Sequence, residues 1–125
     1  MRIYISSKVK HAARWQALRD AGAAIISTWI DEAGPGASSD YHNLAHRCIE
    51  EARTADALIL YCEPGEILKG ALIEVGAALA WGRPVLCVGT CESLSPVLVK
   101  HCLWSFEESL ESALERLGVT LETKA

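Results

Sequence analysis

The chain has 125 residues, half of them hydrophobic and 22% charged, with a formal net charge of −4. That is the size of one domain around one core, and the balance is globular rather than disordered. The negative charge argues against a nucleic-acid polymer or an anionic membrane as partner, since both need clustered Lys and Arg, and no stretch approaches the roughly 20 consecutive apolar residues of a membrane-spanning helix.

Residues 2–6 are a short β-rich run, and no apolar stretch of a secretory leader follows them. Ser7 is placed to cap a helix that continues to about Ala21, with Gly22 as its stop signal. Ala12, Trp15, Leu18 and Val9 share one face of that helix. Residues 24–29 read as a second strand. Residues 31–40, rich in Gly, Pro, Ser and Asp, form a loop, and a helix follows over residues 41–54. Residues 57–62 (Ala-Leu-Ile-Leu-Tyr-Cys) are continuously apolar, as suits a central parallel strand buried on both faces.

Glu63-Pro64-Gly65-Glu66 breaks the run. A helix over residues 67–81, closed by Gly82, leads to a buried strand at 84–88. A turn at 92–96, a short strand near 102–104 and a last helix over 106–117 complete the chain, with a short helix before that strand the weakest element. Glu107, Glu108, Glu111 and Glu115 form the solvated face of the last helix.

Strict alternation of strand and helix implies an α/β fold: one flavodoxin-like, doubly wound parallel sheet of about five strands, order 2-1-3-4-5, with helices on both faces. No repeat, linker or low-complexity tract divides the chain, so residues 1–125 are expected to form a single domain. The five cysteines (Cys48, Cys62, Cys87, Cys91 and Cys102) are an odd number without disulfide-framework spacing. They read as reduced thiols in a cytoplasmic protein.

Such folds bind ligands beyond the carboxyl ends of their strands, at the switch in strand order. That edge carries Ser6, Ser7 and Lys8 after the first strand, and Trp29, Asp31 and Glu32 after the second. After the third it carries the loop from Glu63 through Gly65 and Lys69 to Gly70, and after the fourth the segment from Gly89 to Cys91. Ser6-Ser7-Lys8 can cradle a phosphate, although helix capping by Ser7 explains the same residues. Trp29 can stack on a base and Asp31 can accept from its edge; a loop aromatic packed on the core is the plainer reading.

Between Ile67 and Gly82 the only charged residues are Lys69 and Glu74. The helix around Glu74 is apolar nearly all round, so burial by the sheet and by a second subunit is expected. A buried carboxylate is costly unless paired or used. Glu74 also lies one turn from Gly70, near a helix start where backbone N–H groups hold anions. The alternative is a structural Glu bonded to a neighbouring backbone or Arg. His42 and His46 are four residues apart without a third ligand, and Cys87, Cys91, His101 and Cys102 lack zinc-site spacing.

The pattern Gly70, Glu74, Gly76, Ala78, Gly82, Pro84, Val85, preceded by an apolar strand and a turn-rich loop, resembles the nucleoside 2-deoxyribosyltransferase superfamily, which includes nucleoside 5′-monophosphate N-glycosidases. The opening Arg2-Ile3-Tyr4-Ile5 and the Ala55-Asp56-Ala57 before the third strand fit as well. The resemblance covers about residues 1–90 in order of elements, and its specific motif covers residues 55–89.

It implies that Glu74 is a nucleophile attacking the anomeric carbon of a small-molecule nucleoside or nucleotide, that Tyr4 orients it, and that neither a metal nor an organic cofactor takes part. It also implies a homodimer or higher homo-oligomer. Asp31 or Glu63 would then bind the base or transfer a proton. In the loop before Glu74, Leu68 and Ala71 stand where the family usually has polar side chains, leaving Glu63, Glu66 and Lys69 as substitutes. Two readings therefore stand: an enzyme that cleaves or exchanges an N-glycosidic bond, and a non-catalytic nucleotide-binding module on the same fold.

Overall fold

The computed structural model describes residues 1–32, 41–91 and 94–121. Among these, four parallel strands form one sheet in the order β1 (Ile3–Ser6), β2 (Ala57–Cys62), β3 (Val85–Gly89), β4 (Trp104–Glu107). The helices are α1 (Ala12–Asp20), α2 (Tyr41–Thr54), α3 (Gly70–Ala80) and α4 (Leu110–Arg116). Every residue of β1 and β2 is buried, so both faces of the sheet are covered, as continuous apolar runs require. On α1 the stripe Ala12, Trp15, Leu18 is buried as its spacing predicts, while Val9 belongs to a preceding 3-10 turn and is exposed.

The two apolar runs at the centre are parallel neighbours, with Leu58 opposite Val85 and Cys62 opposite Gly89. Gly89 ends β3 with φ +94, and a Cβ there would sit 1.9 Å from the Cys62 carbonyl oxygen. Only glycine fits this crossing of two backbones.

The expected second strand shrinks to a single parallel bridge between Ile3 and Ile25. The reason lies in its side chains. After Ile3 N–H bonds Ala24 and Ile26 N–H bonds Ile3, the Ser27 hydroxyl accepts from Ile5 N–H at 2.7 Å and the Trp29 indole donates to the Ile5 carbonyl at 2.8 Å. Those side chains take the edge groups a strand would have used, and the chain coils into a 3-10 turn over Thr28–Asp31.

Three further boundaries differ. Ser7 caps no helix; its hydroxyl donates to the Lys8 carbonyl and accepts from the Trp15 indole. The strand expected near 102–104 lies at 104–107, taking in Phe106 and Glu107 where the sequence reads as the start of a helix, and α4 begins later, behind a capping box of Ser109 and Ser112. Residues 67–69 precede α3 as irregular chain. Of the expected loop at 31–40, Asp31 closes the 3-10 turn and residues 33–40 lie outside the described residues, as do residues 92–93 of the turn at 92–96. None of the five cysteines forms a disulfide among the described residues, and Cys62 and Cys87 are buried. No helix among the described residues is long and apolar enough to cross a membrane.

Candidate active site

Ser6 ends β1 at a position with no exposed surface, and its hydroxyl donates a 2.7 Å hydrogen bond to Glu74 Oε1. The carboxylate reaches it from the second turn of α3, which packs on the carboxyl end of β1. Burial pushes the Glu74 carboxyl above the ordinary range, and the Ser6 and Tyr4 hydroxyls pull it part of the way back. Tyr4, beside it on β1, is wholly buried, and among the described residues its hydroxyl, although close to Glu74, has no partner at full hydrogen-bond geometry. Desolvation and the nearby Glu74 charge push the phenol far up, so it stays protonated. The Cys48 thiol is pushed up to about 11, by burial first, so it too is neutral at physiological pH.

Glu74 opens into a cavity of about 370 Å³, within the range of small-molecule sites. Lys8, Lys69 and Gly70 bring positive charge and a helix start to its wall. Trp29, Leu44 and Leu68 give it apolar surface, and Cys48 and Ser7 complete the named polar groups. Glu74 is the only carboxylate lining it among the described residues. A larger, open groove of about 590 Å³ lies between α1 and α4, lined by Arg14, Tyr61 and Gly89 among others. The smaller cavity is the better candidate of the two, because it contains Glu74, whose carboxyl burial pushes up, whereas the carboxylates of the larger groove, Glu108 and Glu111, are exposed.

The cavity thus gathers Ser7, Lys8, Trp29, Lys69, Gly70 and Glu74 from the sequence-derived set. Ser6 is behind Glu74 rather than on the wall. Asp31 is turned away: both its oxygens bond the Arg19 guanidinium at 2.9 Å, which holds its carboxyl below the usual range. Glu63 is engaged with the Tyr61 hydroxyl at 2.7 Å, and Gly65 lines a separate cavity beside Lys10 and Ile67. Neither lines the Glu74 cavity. Leu44 and Cys48 on α2 were missed. Their signal is the four-residue spacing of Leu44, Cys48 and Ala52, which turns one stripe of α2 inward: Leu44 and Cys48 are half-buried and Ala52 is buried.

The bond to Ser6 yields a pH prediction. Ser6→Ala removes the donor that favours the charged form, so the acid limb of any activity requiring ionised Glu74 moves to higher pH, while Ser6→Thr restores it. Overlapping pH profiles for wild type and Ser6→Ala would show that the bond does not tune the carboxylate.

Compared as a sequence, the chain matches no protein-family model and no curated protein. Compared as a structure, it has the fold of a 2-deoxyribosyltransferase from Bacillus psychrosaccharolyticus, with a TM-score of 0.68 and 18% identity over 100% of both chains. It is also similar to a CMP N-glycosidase from Clostridium botulinum, with a TM-score of 0.57 and 16% identity over 94% of this chain and 98% of the other.

Proposed function

We propose that the protein cleaves or exchanges the N-glycosidic bond of a nucleoside or nucleoside 5′-monophosphate, with Glu74 as nucleophile. The observation that carries this is a single, mostly buried carboxylate, hydrogen-bonded by Ser6 at 2.7 Å and facing a cavity of ligand size. The activities named for the two structural relatives, on the same fold, are of the same class. Ionised Glu74 attacks the anomeric carbon; the C–N bond breaks, and the base leaves with the bonding pair and takes up a proton. Water or a second base then displaces the sugar and frees the carboxylate. Ser6 holds the carboxylate in place through its hydrogen bond, and the Tyr4 hydroxyl lies close enough to favour the ionised form. Trp29, Leu44 and Leu68 give the base an apolar wall, and Lys8 and Lys69, which form no ion pair among the described residues, suit an anionic group on the sugar.

Incubation with nucleosides and 5′-monophosphates, followed by chromatography, should show free base. Ligand binding without base release would favour the non-catalytic module, a reading to which the apolar Leu68 and Ala71 on the cavity wall lend support.

The partner we infer besides the ligand is a second copy of the chain. Ile73 on α3 and Trp81 just after it are 64% and 59% exposed, and the small residues Gly76 and Ala80 are exposed with them. These residues would let two such helices approach closely around a two-fold axis. Sedimentation at micromolar concentration should give a dimer or larger species, and Ile73→Glu should dissociate it. A wild-type species of 13.5 kDa would refute the assembly.

A further inference from the structure

A second cluster of chemically capable groups sits beyond β2, on the loop leading to α3. Pro64 and Gly65 make a tight turn, with Gly65 at φ +83 and Glu66 N–H bonding the Glu63 carbonyl at 3.1 Å. The turn presents Glu63 and Glu66 on one side, facing His11 at the start of α1. His11 Nε2 lies 2.9 Å from Glu66 Oε2 and 3.8 Å from Glu63 Oε1, and one donor atom from each residue falls within 4.8 Å of the others.

The outer oxygens of both carboxylates are already held. The Tyr61 hydroxyl donates to Glu63 Oε2 at 2.7 Å, and Glu63 N–H donates to Glu66 Oε1 at 2.8 Å. The inner oxygens, Glu63 Oε1 and Glu66 Oε2, are the ones turned to the imidazole. An outer layer that fixes carboxylates while their other oxygens converge on a histidine is how metal ligands are oriented. Glu66 is nearly buried.

We propose that His11, Glu63 and Glu66 form a binding site for a divalent first-row transition-metal ion such as Zn²⁺. Bonds of about 2.0–2.2 Å from one centre place ligand atoms roughly 3–3.5 Å apart. The His11–Glu66 pair is already near that spacing, and Glu63, whose side chain is 41% exposed, has room to close the rest. One imidazole with two carboxylates favours zinc-like ions over Mg²⁺, which prefers all-oxygen shells. The cation now beside Glu66 is the Lys10 ammonium, at 3.2 Å on a side chain 65% exposed, free to swing into solvent. The bound metal ties the start of α1 to the loop that delivers Leu68 and Lys69 to the Glu74 cavity. The site does not depend on the glycosidic reading.

The test is calorimetric titration of chelator-treated protein with Zn²⁺ and, separately, Mg²⁺ in a non-coordinating buffer. One saturable Zn²⁺ site and much weaker Mg²⁺ binding are expected. His11→Gln and Glu63→Gln should each weaken Zn²⁺ by at least about tenfold, the loss that removal of even a supporting partner causes. Lys10→Ala should tighten it by removing the competing cation, and Cys102→Ser, at an exposed thiol, should leave it unchanged. Glu63 is exposed enough that Glu63→Gln keeps the fold, which circular dichroism verifies. Absence of saturable Zn²⁺ binding, or binding that survives both His11→Gln and Glu63→Gln, would overturn the proposal, as would binding that Cys102→Ser abolishes.

Discussion

Glu74→Gln is expected to lower the rate of base release by at least about 10³-fold while ligand affinity changes by no more than a few-fold. Gln keeps the shape and can still accept from Ser6, but it cannot form the glycosyl ester. The same substitution should raise the melting temperature. Glu74 has its folded-state pKa raised by burial, so its contribution to stability is full below the unfolded carboxyl pKa and is lost as pH rises through the folded value. At neutral pH the ionised carboxylate is therefore a net cost, which the neutral amide removes. A variant that is slower and more stable together marks a strained functional group; a variant both slower and less stable would mark a structural one. Single-turnover base release and thermal unfolding of the two proteins provide the comparison.

Gly89→Ala is expected to have the largest effect on stability, about 3–5 kcal/mol, in the range reached by main-chain strain and overpacking combined. Its Cβ would lie 1.9 Å from the Cys62 carbonyl oxygen, so β2 and β3 must part at the carboxyl edge of the sheet. Gly65→Ala is the control. It has a similar φ of +83 but nothing within 4 Å of the added carbon, so it should cost only about 1–2 kcal/mol of left-handed strain. Denaturant unfolding measures both. Equal losses would mean that φ alone, and not the crossing with Cys62, makes Gly89 obligatory.

The parts of the fold legible in the sequence were those written in periodicity. The runs from Ala57 to Cys62 and from Pro84 to Val88 read as buried strands, and the strands they form are adjacent and parallel. The Ala12, Trp15, Leu18 stripe likewise placed α1. The second strand was misread because β-propensity at Ile25 and Ile26 does not reveal that Ser27 and Trp29 will satisfy Ile5 through their side chains. The strand at Trp104–Glu107 was misplaced for a related reason. Phe106 is exposed and Glu107 pairs with Arg116, so this edge strand lacks the apolar run that identifies its neighbours.

At the site, Glu74 stood out as a lone charge on an apolar helix, and Lys8, Trp29, Lys69 and Gly70 followed from the rule for the carboxyl edge. Asp31 and Glu63 satisfied the same rule and yet lie off the cavity, because Arg19 and Tyr61 claim them. Pairing of this kind is a tertiary event between distant residues, and no local pattern encodes it. Cys48 was passed over because the loop before α2, rather than α2 itself, follows the second strand.

The central claim is that a glycosyl group passes through Glu74, and mass spectrometry of the quenched protein tests it most directly. A nucleoside 5′-monophosphate bearing a 2-deoxy-2-fluoro sugar should release its base once and leave the sugar phosphate attached, because the fluorine slows the second displacement. The account predicts an adduct with the mass of that sugar phosphate on the peptide containing Glu74, absent from Glu74→Gln. An adduct on any other peptide, or stoichiometric base release from protein that remains unmodified throughout, would contradict it.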